Sequence, residues 1–273
     1  MSHAPSPVLL ISTDFDGTLV EHGVPAPFSP ELIEVFNALR GRGVRWVINT
    51  GRSLPSLEEG LESFGFPIHP DFIITTEREI FQPAPNGHGW EDYGEWNRVC
   101  ARRHDEVFAA AAPALREVAR FVQSETRAEL RYGRRTQGTA AVDEPAGIVA
   151  QDEAEMDRIL AHLEPLRADV PQFSYQRNSI YLSFCHADYD KGTALAELGR
   201  MLEVGPDGTF AVGDHQNDLP MLTGVHARHV ACPGNSIDLV KTAVRAAGGY
   251  VAQAPYSAGV IEALRFYCPS LSV

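Results

Sequence analysis

Cysteine is scarce in this chain and is not spaced for metal binding or for disulfide pairing. Only Cys100, Cys185, Cys232 and Cys268 occur in 273 residues. No two of them form a C-x-x-C pair, which argues against a zinc site and against a disulfide framework. We therefore expect free, mostly buried thiols in a reducing compartment.

Basic residues are also in short supply. Lysine and arginine number 23 against 36 acidic residues, which gives a formal net charge of −13. Nucleic-acid binding without sequence preference needs a basic footprint, and adhesion to anionic membranes needs basic clusters. We expect neither nucleic acid nor a membrane as a partner.

Long apolar runs are missing as well. The sequence has no stretch of about 18 apolar residues, so no membrane-spanning helix is predicted. Residues Met1 to Pro7 lack a basic region followed by a long apolar core. No secretory signal is predicted, and we expect a cytoplasmic protein that is a monomer or a small homo-oligomer.

What the chain does have is the composition and the rhythm of an α/β protein. Hydrophobic residues make up 44% and charged residues 22% of it, which is typical of a globular protein with a sizeable core. Apolar strands at Val8–Thr13 and Val44–Asn49 flank a helix that starts at Ser29-Pro30-Glu31. The same alternation returns after Lys191. This pattern predicts an α/β fold with a doubly wound parallel sheet.

The middle of the chain interrupts that alternation. A breaker-rich segment at Gln82–Gly87 is followed by strands mixed with two helices, which are predicted around Pro113–Val122 and near Glu153–Leu166. We interpret residues 83–186 as an α+β module inserted into a core formed by residues 1–82 and 187–273.

Two carboxylates stand at alternate positions where the first strand should end, in the run Asp14-Phe15-Asp16-Gly17-Thr18. Alternate side chains of an extended segment point the same way. Two adjacent carboxylates repel each other unless a cation lies between them or one is protonated. The pair therefore suits a divalent metal and a carboxylate nucleophile.

Three further motifs stand at predicted strand ends or helix starts. Thr50-Gly51-Arg52 offers a hydroxyl and exposed amides for a phosphate. Lys191 opens a helix, where the dipole does not favour a cation, and can serve a bound phosphate. Gly213 to Asp218 contains Asp214, Asn217 and Asp218, oxygen ligands that suit Mg²⁺.

The order of these four motifs resembles the haloacid dehalogenase superfamily of phosphohydrolases. The resemblance covers about residues 8–82 and 187–267, and ligands bind at this edge of open α/β sheets. The insert between Thr50 and Lys191 is similar in position and size to the α+β cap of the Cof-type and sucrose-phosphatase-like branch. The resemblance implies that this cap sets substrate specificity.

The resemblance also implies roles for the motif residues. Asp14 would be the nucleophile, and Asp16 the general acid and then the base. Asp214 would bind Mg²⁺ together with Asp14 and the backbone carbonyl of Asp16, and Asn217 and Asp218 would complete the metal site directly or through water. Thr50 and Lys191 would bind the phosphoryl oxygens. The candidate substrate-binding residues are Thr50, Gly51, Arg52, Lys191, Asn217 and, in a turn of the insert, Arg177.

The sequence thus predicts an Mg²⁺-dependent phosphatase that acts on a small phosphorylated metabolite, most simply a sugar phosphate, through an aspartyl-phosphate. Two alternatives stay open from the motifs: a phosphomutase of the same superfamily, and a slow phosphoryl-accepting signalling or binding protein. The sequence has no G-x-S-x-G and no P-loop motif, which argues against a serine hydrolase and an ordinary P-loop nucleotidase.

Overall fold

The structure, a computed structural model, describes residues 8–137 and 140–269, with the backbone alone for 134–137 and 140–142. Met1–Pro7, on which no secretory signal was predicted, lie outside the described residues. In the described part of the chain, no helix combines the length and apolarity needed to cross a bilayer.

The bounds of the elements follow the predicted alternation closely in both halves of the chain. The strands are β1 (Leu10–Thr13), β2 (Arg45–Asn49), β3 (Phe72–Thr75), β4 (Glu79–Pro83), β5 (Trp90–Asp92), β6 (Glu129–Gln137), β7 (Ala140–Val149), β8 (Phe173–Asn178), β9 (Tyr181–His186), β10 (Thr209–Val212), β11 (His229–Cys232) and β12 (Tyr250–Val251). The helices are α1 (Glu31–Arg40), α2 (Leu54–Ser63), α3 (Trp96–Glu125), α4 (Glu153–Leu166), α5 (Lys191–Met201), α6 (Asp238–Ala246) and α7 (Tyr256–Tyr267), with 3₁₀ turns at Pro206–Gly208 and Gln216–Met221.

The chain divides into two compact units. One combines the residues up to Asn97 with those from Asp190 onward, and the other is Arg98–Tyr189. The insert interpreted from the sequence, 83–186, begins 15 residues earlier than the second unit. The difference arises because β5 pairs with β4 and extends the sheet of the first unit.

The first unit is built on an eight-stranded sheet in the order β12-β11-β10-β1-β2-β3-β4-β5. Its strands from β12 to β3 are parallel, and β4 and β5 are antiparallel to their neighbours. The predicted doubly wound α/β fold is therefore confirmed. The antiparallel edge was not predicted.

Side chains alternate between the two faces of this sheet, which explains the almost fully apolar strands. Ile11 packs with α1, α2 and α7 on one face, whereas Leu10 packs with α5 and α6 on the other. β1 lies between β2, which follows it in the chain, and β10 from the distant second half. The strand order therefore reverses between β1 and β10: the chain builds the sheet outward from β1 on one side and outward from β10 on the other. The carboxyl ends of these two parallel strands frame a crevice of the kind that binds ligands.

The second unit is a four-stranded antiparallel sheet in the order β6-β7-β9-β8. Leu182 and Phe184 of β9 pack with α3 and α4 and form the core of this unit. Its longer helix, α3, begins at Trp96, whereas the sequence indicated a helix only around residues 113–122.

Candidate active site

The motif residues of the first unit follow the carboxyl ends of three adjacent strands. Asp14 follows β1, and its backbone N–H donates to the carbonyl of Val212 at the end of β10 (3.0 Å). Thr50 follows β2, and Asp214 comes two residues after β10. The parallel sheet thus brings residues from both ends of the sequence to one edge.

A glycine turn joins the first of these motifs to Asp214. Gly17 has a φ of +79°, and a Cβ there would lie 2.5 Å from Asp214 Oδ2, so only glycine fits. The next residue, Thr18, donates its hydroxyl to Asp214 Oδ1 at 2.7 Å. The turn after Asp14 and Asp16 therefore also orients the acid from the far half of the chain.

Asp14, Asp214 and Asp218 form an acidic cluster, with one ligand atom of each within 4.8 Å of the others. The fully buried ammonium of Lys191 donates to Asp14 Oδ1 (2.7 Å) and to Asp218 Oδ1 (2.6 Å). Three carboxylates against one ammonium leave two negative charges uncompensated. This is the charge that one divalent cation neutralises.

The electrostatic surroundings agree with this charge count. Burial, together with the neighbouring acids, raises the pKa of Asp14 well above its usual range, against the attraction of Lys191. Burial and Asp218 raise the pKa of Asp214 to about 7. Against the cost of burial, the ion pairs with Asp14 and Asp218 raise the pKa of Lys191 and keep it charged. The carboxylates need a second cation to be fully ionised together.

Asp218 stabilises the cluster through hydrogen bonds that both of its carboxylate oxygens accept. Besides the contact of its Oδ1 with Lys191, its Oδ2 accepts the backbone N–H groups of Asp214 (2.8 Å) and His215 (2.9 Å). Both oxygens are therefore engaged by hydrogen-bond donors, and the carboxylate fixes the loop that carries Asp214.

Asp16 is held differently from Asp14. The Arg52 guanidinium donates two hydrogen bonds of 2.7 Å to the Asp16 carboxylate, and His22 Nε2 lies 2.7 Å from Asp16 Oδ1. Despite partial burial, these partners hold the pKa of Asp16 below its usual value. The carboxylate is thereby kept ionised, the state in which it can accept a proton.

Two buried residues of the site carried no signal in the sequence motifs. Asn49, at the end of β2, donates its side-chain amide to the backbone carbonyl of Lys191 (2.9 Å). Glu77 accepts a 2.8 Å hydrogen bond from Asn217 Nδ2, and burial raises the pKa of Glu77 against the attraction of Lys191. Both act across the fold, through contacts more than 100 residues apart in sequence, which no local pattern reveals.

The predicted phosphate loop lies beside these residues. Thr50 Oγ1 accepts the N–H of Arg52 (3.2 Å). A Cβ on Gly51 would lie 3.2 Å from Glu77 Oε1 and 3.8 Å from Asn217 Nδ2. Thr50, Gly51, Arg52 and Asn217 therefore lie near one another, as the sequence prediction of a shared site requires.

Arg177, the remaining predicted substrate residue, belongs to the second unit. Its guanidinium donates to Asp157 of α4 (2.5 Å) and to the carbonyl of Ser179 (2.9 Å). It is thus held against its own unit, and its contacts add nothing in favour of a substrate role.

The donor set of the cluster fits Mg²⁺. It consists of carboxylate oxygens, and the buried amide oxygen of Asn217, Oδ1, has no hydrogen-bond partner among the described residues. Hard divalent cations prefer oxygen ligands of this kind. Asp14, Asp214 and Asp218 are the acids that lie close enough together to hold one.

Comparisons with known proteins agree with this chemistry. Residues 116–264 match the family model described as haloacid dehalogenase-like hydrolase. A protein of Streptococcus pyogenes serotype M6 that carries a provisional phosphatase name is 23% identical over 94% of this chain and 97% of its own length.

Solved structures share the fold over nearly the whole chain. The sucrose-phosphatase of Synechocystis sp. PCC6803, in complex with sucrose and phosphate, superposes with a TM-score of 0.67 at 20% identity, over 96% of this chain and 98% of its own. A sugar phosphatase of subclass IIB superposes with a TM-score of 0.62 at 18% identity, over 94% and 98% of the two chains.

Proposed function

This chain is a phosphatase of the haloacid dehalogenase-like hydrolase family, and we propose that it hydrolyses a small sugar phosphate with Mg²⁺ through an aspartyl-phosphate. The observation that carries this proposal is the buried Asp14, paired with Lys191 and clustered with Asp214 and Asp218. A carboxylate in this setting is a nucleophile beside a site for an anionic phosphoryl group and its metal.

In the first step, an oxygen of Asp14 attacks phosphorus while the bond from phosphorus to the leaving oxygen breaks. Asp16 gives its proton to that oxygen, so the alcohol leaves neutral. In the second step, Asp16 takes a proton from the attacking water, the bond between phosphorus and Asp14 breaks, and phosphate is released. Asp16 ends the cycle protonated, as it began.

Arg52 decides which of these states Asp16 adopts. The two-pronged contact favours the ionised form of Asp16, which is the form required for the second step. For the first step, we infer that the incoming phosphoryl group draws the Arg52 guanidinium away from Asp16. Guanidinium groups bind carboxylates and phosphates with the same paired geometry, which permits this exchange.

Asp14, Asp214 and the backbone carbonyl of Asp16 would hold Mg²⁺, with Asn217 and Asp218 completing the site directly or through water. When bound, Mg²⁺ neutralises the phosphoryl oxygens and the crowded carboxylates. Lys191 adds a fixed positive charge beside the nucleophile, and Thr50 and Gly51 offer a hydroxyl and an amide to the phosphoryl oxygens.

The second unit supports a sugar as the leaving group. Tyr181 and Ser183 of β9 alternate with the helix-packed Leu182 and Phe184, so they lie on the opposite, exposed face of the sheet. Gln176 of β8 pairs with Ser183 in register and shares that face. Hydroxyl, amide and aromatic groups of this kind recognise uncharged polyhydroxy compounds.

A screen for phosphate release tests the proposal. Sugar phosphates, nucleotides and phosphoglycerate conjugates are incubated with the enzyme, with and without Mg²⁺. We expect Mg²⁺-dependent release that favours sugar phosphates. Isomerised sugar phosphate without released phosphate would instead identify a phosphomutase, and a phosphoenzyme that turns over in hours would identify a phosphoryl-accepting signalling protein.

Asp14→Asn is the matched variant for the chemistry. It retains the size of the side chain but removes the nucleophilic oxygen charge, so we expect turnover to fall by at least about 10⁴-fold. Rapid acid quench followed by intact-mass measurement should show an adduct of ~80 Da, the mass of a phosphoryl group, on the wild type only. Steady hydrolysis by Asp14→Asn would refute the covalent route.

A further inference from the structure

Glu77 lies in a strained turn at the edge of the site. In the turn between β3 and β4, Thr76 has a φ of +48° and Glu77 a φ of +65°. This is the left-handed backbone conformation, which residues other than glycine and asparagine rarely adopt. For a β-branched residue such as Thr76 this is a true outlier. Strain of this kind persists only where surrounding contacts enforce it, and it concentrates at functional sites.

The turn is fastened to the predicted phosphate loop. The N–H of Thr76 donates to the carbonyl of Arg52 (2.8 Å), and the N–H of Glu77 donates to the carbonyl of Thr50 (3.0 Å). These two bonds hold the backbone in the left-handed conformation and carry the Glu77 carboxylate into the interior, where the residue is only 7% exposed.

There the carboxylate meets the amide of Asn217. Asn217 Nδ2 donates to Glu77 Oε1 at 2.8 Å, and both side chains are buried. Because the carboxylate oxygen accepts this bond, the nitrogen of the amide faces Glu77 and the amide oxygen lies on the other side. That oxygen, Oδ1, is buried and has no partner among the described residues.

The neighbouring Asp218 has no comparable free oxygen. Its Oδ1 accepts from Lys191 and its Oδ2 accepts from two backbone N–H groups. Of the two side chains that end this motif, Asn217 therefore has the oxygen that is open to a cation.

We propose that Glu77 is a positioning residue, which holds the Asn217 carboxamide so that its oxygen, and not its nitrogen, is offered to the Mg²⁺ of the active site. The inference rests on the proposed function and extends it to a residue outside the four sequence motifs. Hydrogen-bond partners that orient a metal ligand in this way commonly change metal affinity or activity by about 10–100-fold when they are removed.

The experiment compares three variants of the full-length protein with the wild type. Glu77→Ala removes the acceptor, and Glu77→Gln retains an acceptor oxygen of the same reach without the charge. Glu79→Gln is the matched control, because Glu79 directly follows the same turn, as the first residue of β4, and accepts a hydrogen bond from the Thr76 hydroxyl (2.9 Å). Mg²⁺ affinity is measured by calorimetry without substrate, alongside kcat, KM and the metal-free Tm.

We expect Glu77→Ala to weaken Mg²⁺ binding and kcat/KM by at least about 10-fold, with the loss in kcat and in metal affinity. Glu77→Gln should recover most of that loss, and Glu79→Gln should behave as the wild type. Unchanged Mg²⁺ affinity in Glu77→Ala would overturn the proposal. Equal damage in Glu77→Ala and Glu77→Gln would also overturn it, since charge and not orientation would then be the cause.

Glu77→Gly distinguishes a positioning role of Glu77 from a loss of activity that is caused by misfolding. Glycine fits the left-handed backbone without strain, so this variant removes the carboxylate while favouring the native turn. We expect weak Mg²⁺ binding with a metal-free Tm no lower than that of Glu77→Ala. A fall in Tm that runs parallel to the loss of affinity across all Glu77 variants would assign Glu77 a purely structural role.

The outcomes also separate this inference from the proposed function. If the wild type releases phosphate and Glu77→Ala binds Mg²⁺ normally, the positioning role alone is wrong. If the wild type releases no phosphate from any substrate while Glu77→Ala still weakens Mg²⁺ binding, the phosphatase chemistry fails and the positioning role stands.

Discussion

Asp14 is subject to two opposing demands at the scale of a single residue. A nucleophilic carboxylate must be ionised, yet burial beside Asp214 and Asp218 raises its pKa. Lys191 compensates for only part of the crowded charge. In our proposal a divalent cation compensates for the rest, and the protonation state of the site should report whether one is bound.

The pKa of Asp214 is raised from 3.8 to about 7, so the Mg²⁺ binding that we propose should depend on pH. Because the folded chain binds the Asp214 proton more tightly than the unfolded chain does, this carboxyl contributes to the free energy of unfolding. That contribution is fully present below about pH 4 and is lost as the pH rises through about 7. Mg²⁺ binds the ionised form. We therefore expect Mg²⁺ to raise the Tm little at pH 5 and much more at pH 8, as measured by differential scanning fluorimetry.

Thr18→Val provides the control for that prediction. It removes the hydroxyl that donates to Asp214 Oδ1, a bond that lowers the pKa of Asp214. The rise in Mg²⁺ stabilisation should then move to higher pH. A Mg²⁺-induced shift in Tm that is equal at pH 5 and pH 8 in the wild type would contradict this account.

At the scale of an element, the first turn of α5 delivers the buried lysine. Asp190 caps the helix, accepting the N–H of Thr193 (2.8 Å), while the Thr193 hydroxyl accepts the N–H of Asp190 (2.9 Å). Such a capping box stabilises a helix start and fixes the direction of its first turn. Lys191, the first residue of α5, owes its position to this cap and to Asn49.

Asp190→Ala should lower both stability and activity. Loss of the cap costs about 1 kcal/mol of unfolding free energy. Loosening of Lys191 should also lower kcat/KM on the order of 10-fold. Urea denaturation and steady-state kinetics measure the two effects.

The matched control is Asp152→Ala. Asp152 caps α4 of the second unit through the same type of bond, to the N–H of Glu155 (2.8 Å). It should lose a similar free energy of unfolding with no loss of kcat for a small aryl phosphate. Equal loss of kcat in both variants would show that the cap of α5 has no particular role in catalysis.

At the scale of the whole molecule, our proposal assigns chemistry and recognition to different units. The acids and Lys191 lie in the first unit, and the exposed face with Tyr181 and Ser183 lies in the second. In our proposal the first unit handles any phosphate ester, and the second selects among the groups attached to it. Substitutions on the exposed face of the second unit should therefore change substrate specificity without loss of phosphate-ester hydrolysis.

Tyr181→Ala tests this division. We expect KM for the preferred sugar phosphate to rise about 10-fold, because a stacking surface is lost, and turnover of p-nitrophenyl phosphate to change less than about twofold. Tyr132→Ala is the control: Tyr132 is equally exposed, 55% against 56%, but its hydroxyl contacts Gln123 of α3. Parallel losses on both substrates would contradict a recognition role for Tyr181.

Much of this arrangement could be predicted from local sequence. The alternation of apolar strands with capped helices predicted the doubly wound sheet, and α4 runs over Glu153–Leu166 as expected. The antiparallel β4 and β5 were missed because short strands at a sheet edge have no distinctive periodicity. The pairing of β4 with β3 and of β5 with β4 moved the boundary of the second unit to Arg98.

The sequence by itself determined the inventory of the chemistry: two acids after the first strand, a threonine and glycine after the second, a lysine opening a helix and a late acidic motif. These are local patterns, and a strand end or a helix start positions each of them. Only the tertiary structure decided which groups share an oxygen, a proton or a charge. Contacts such as that of Glu77 with Asn217 form when parallel strands align their ends, and that alignment depends on packing across the whole sheet.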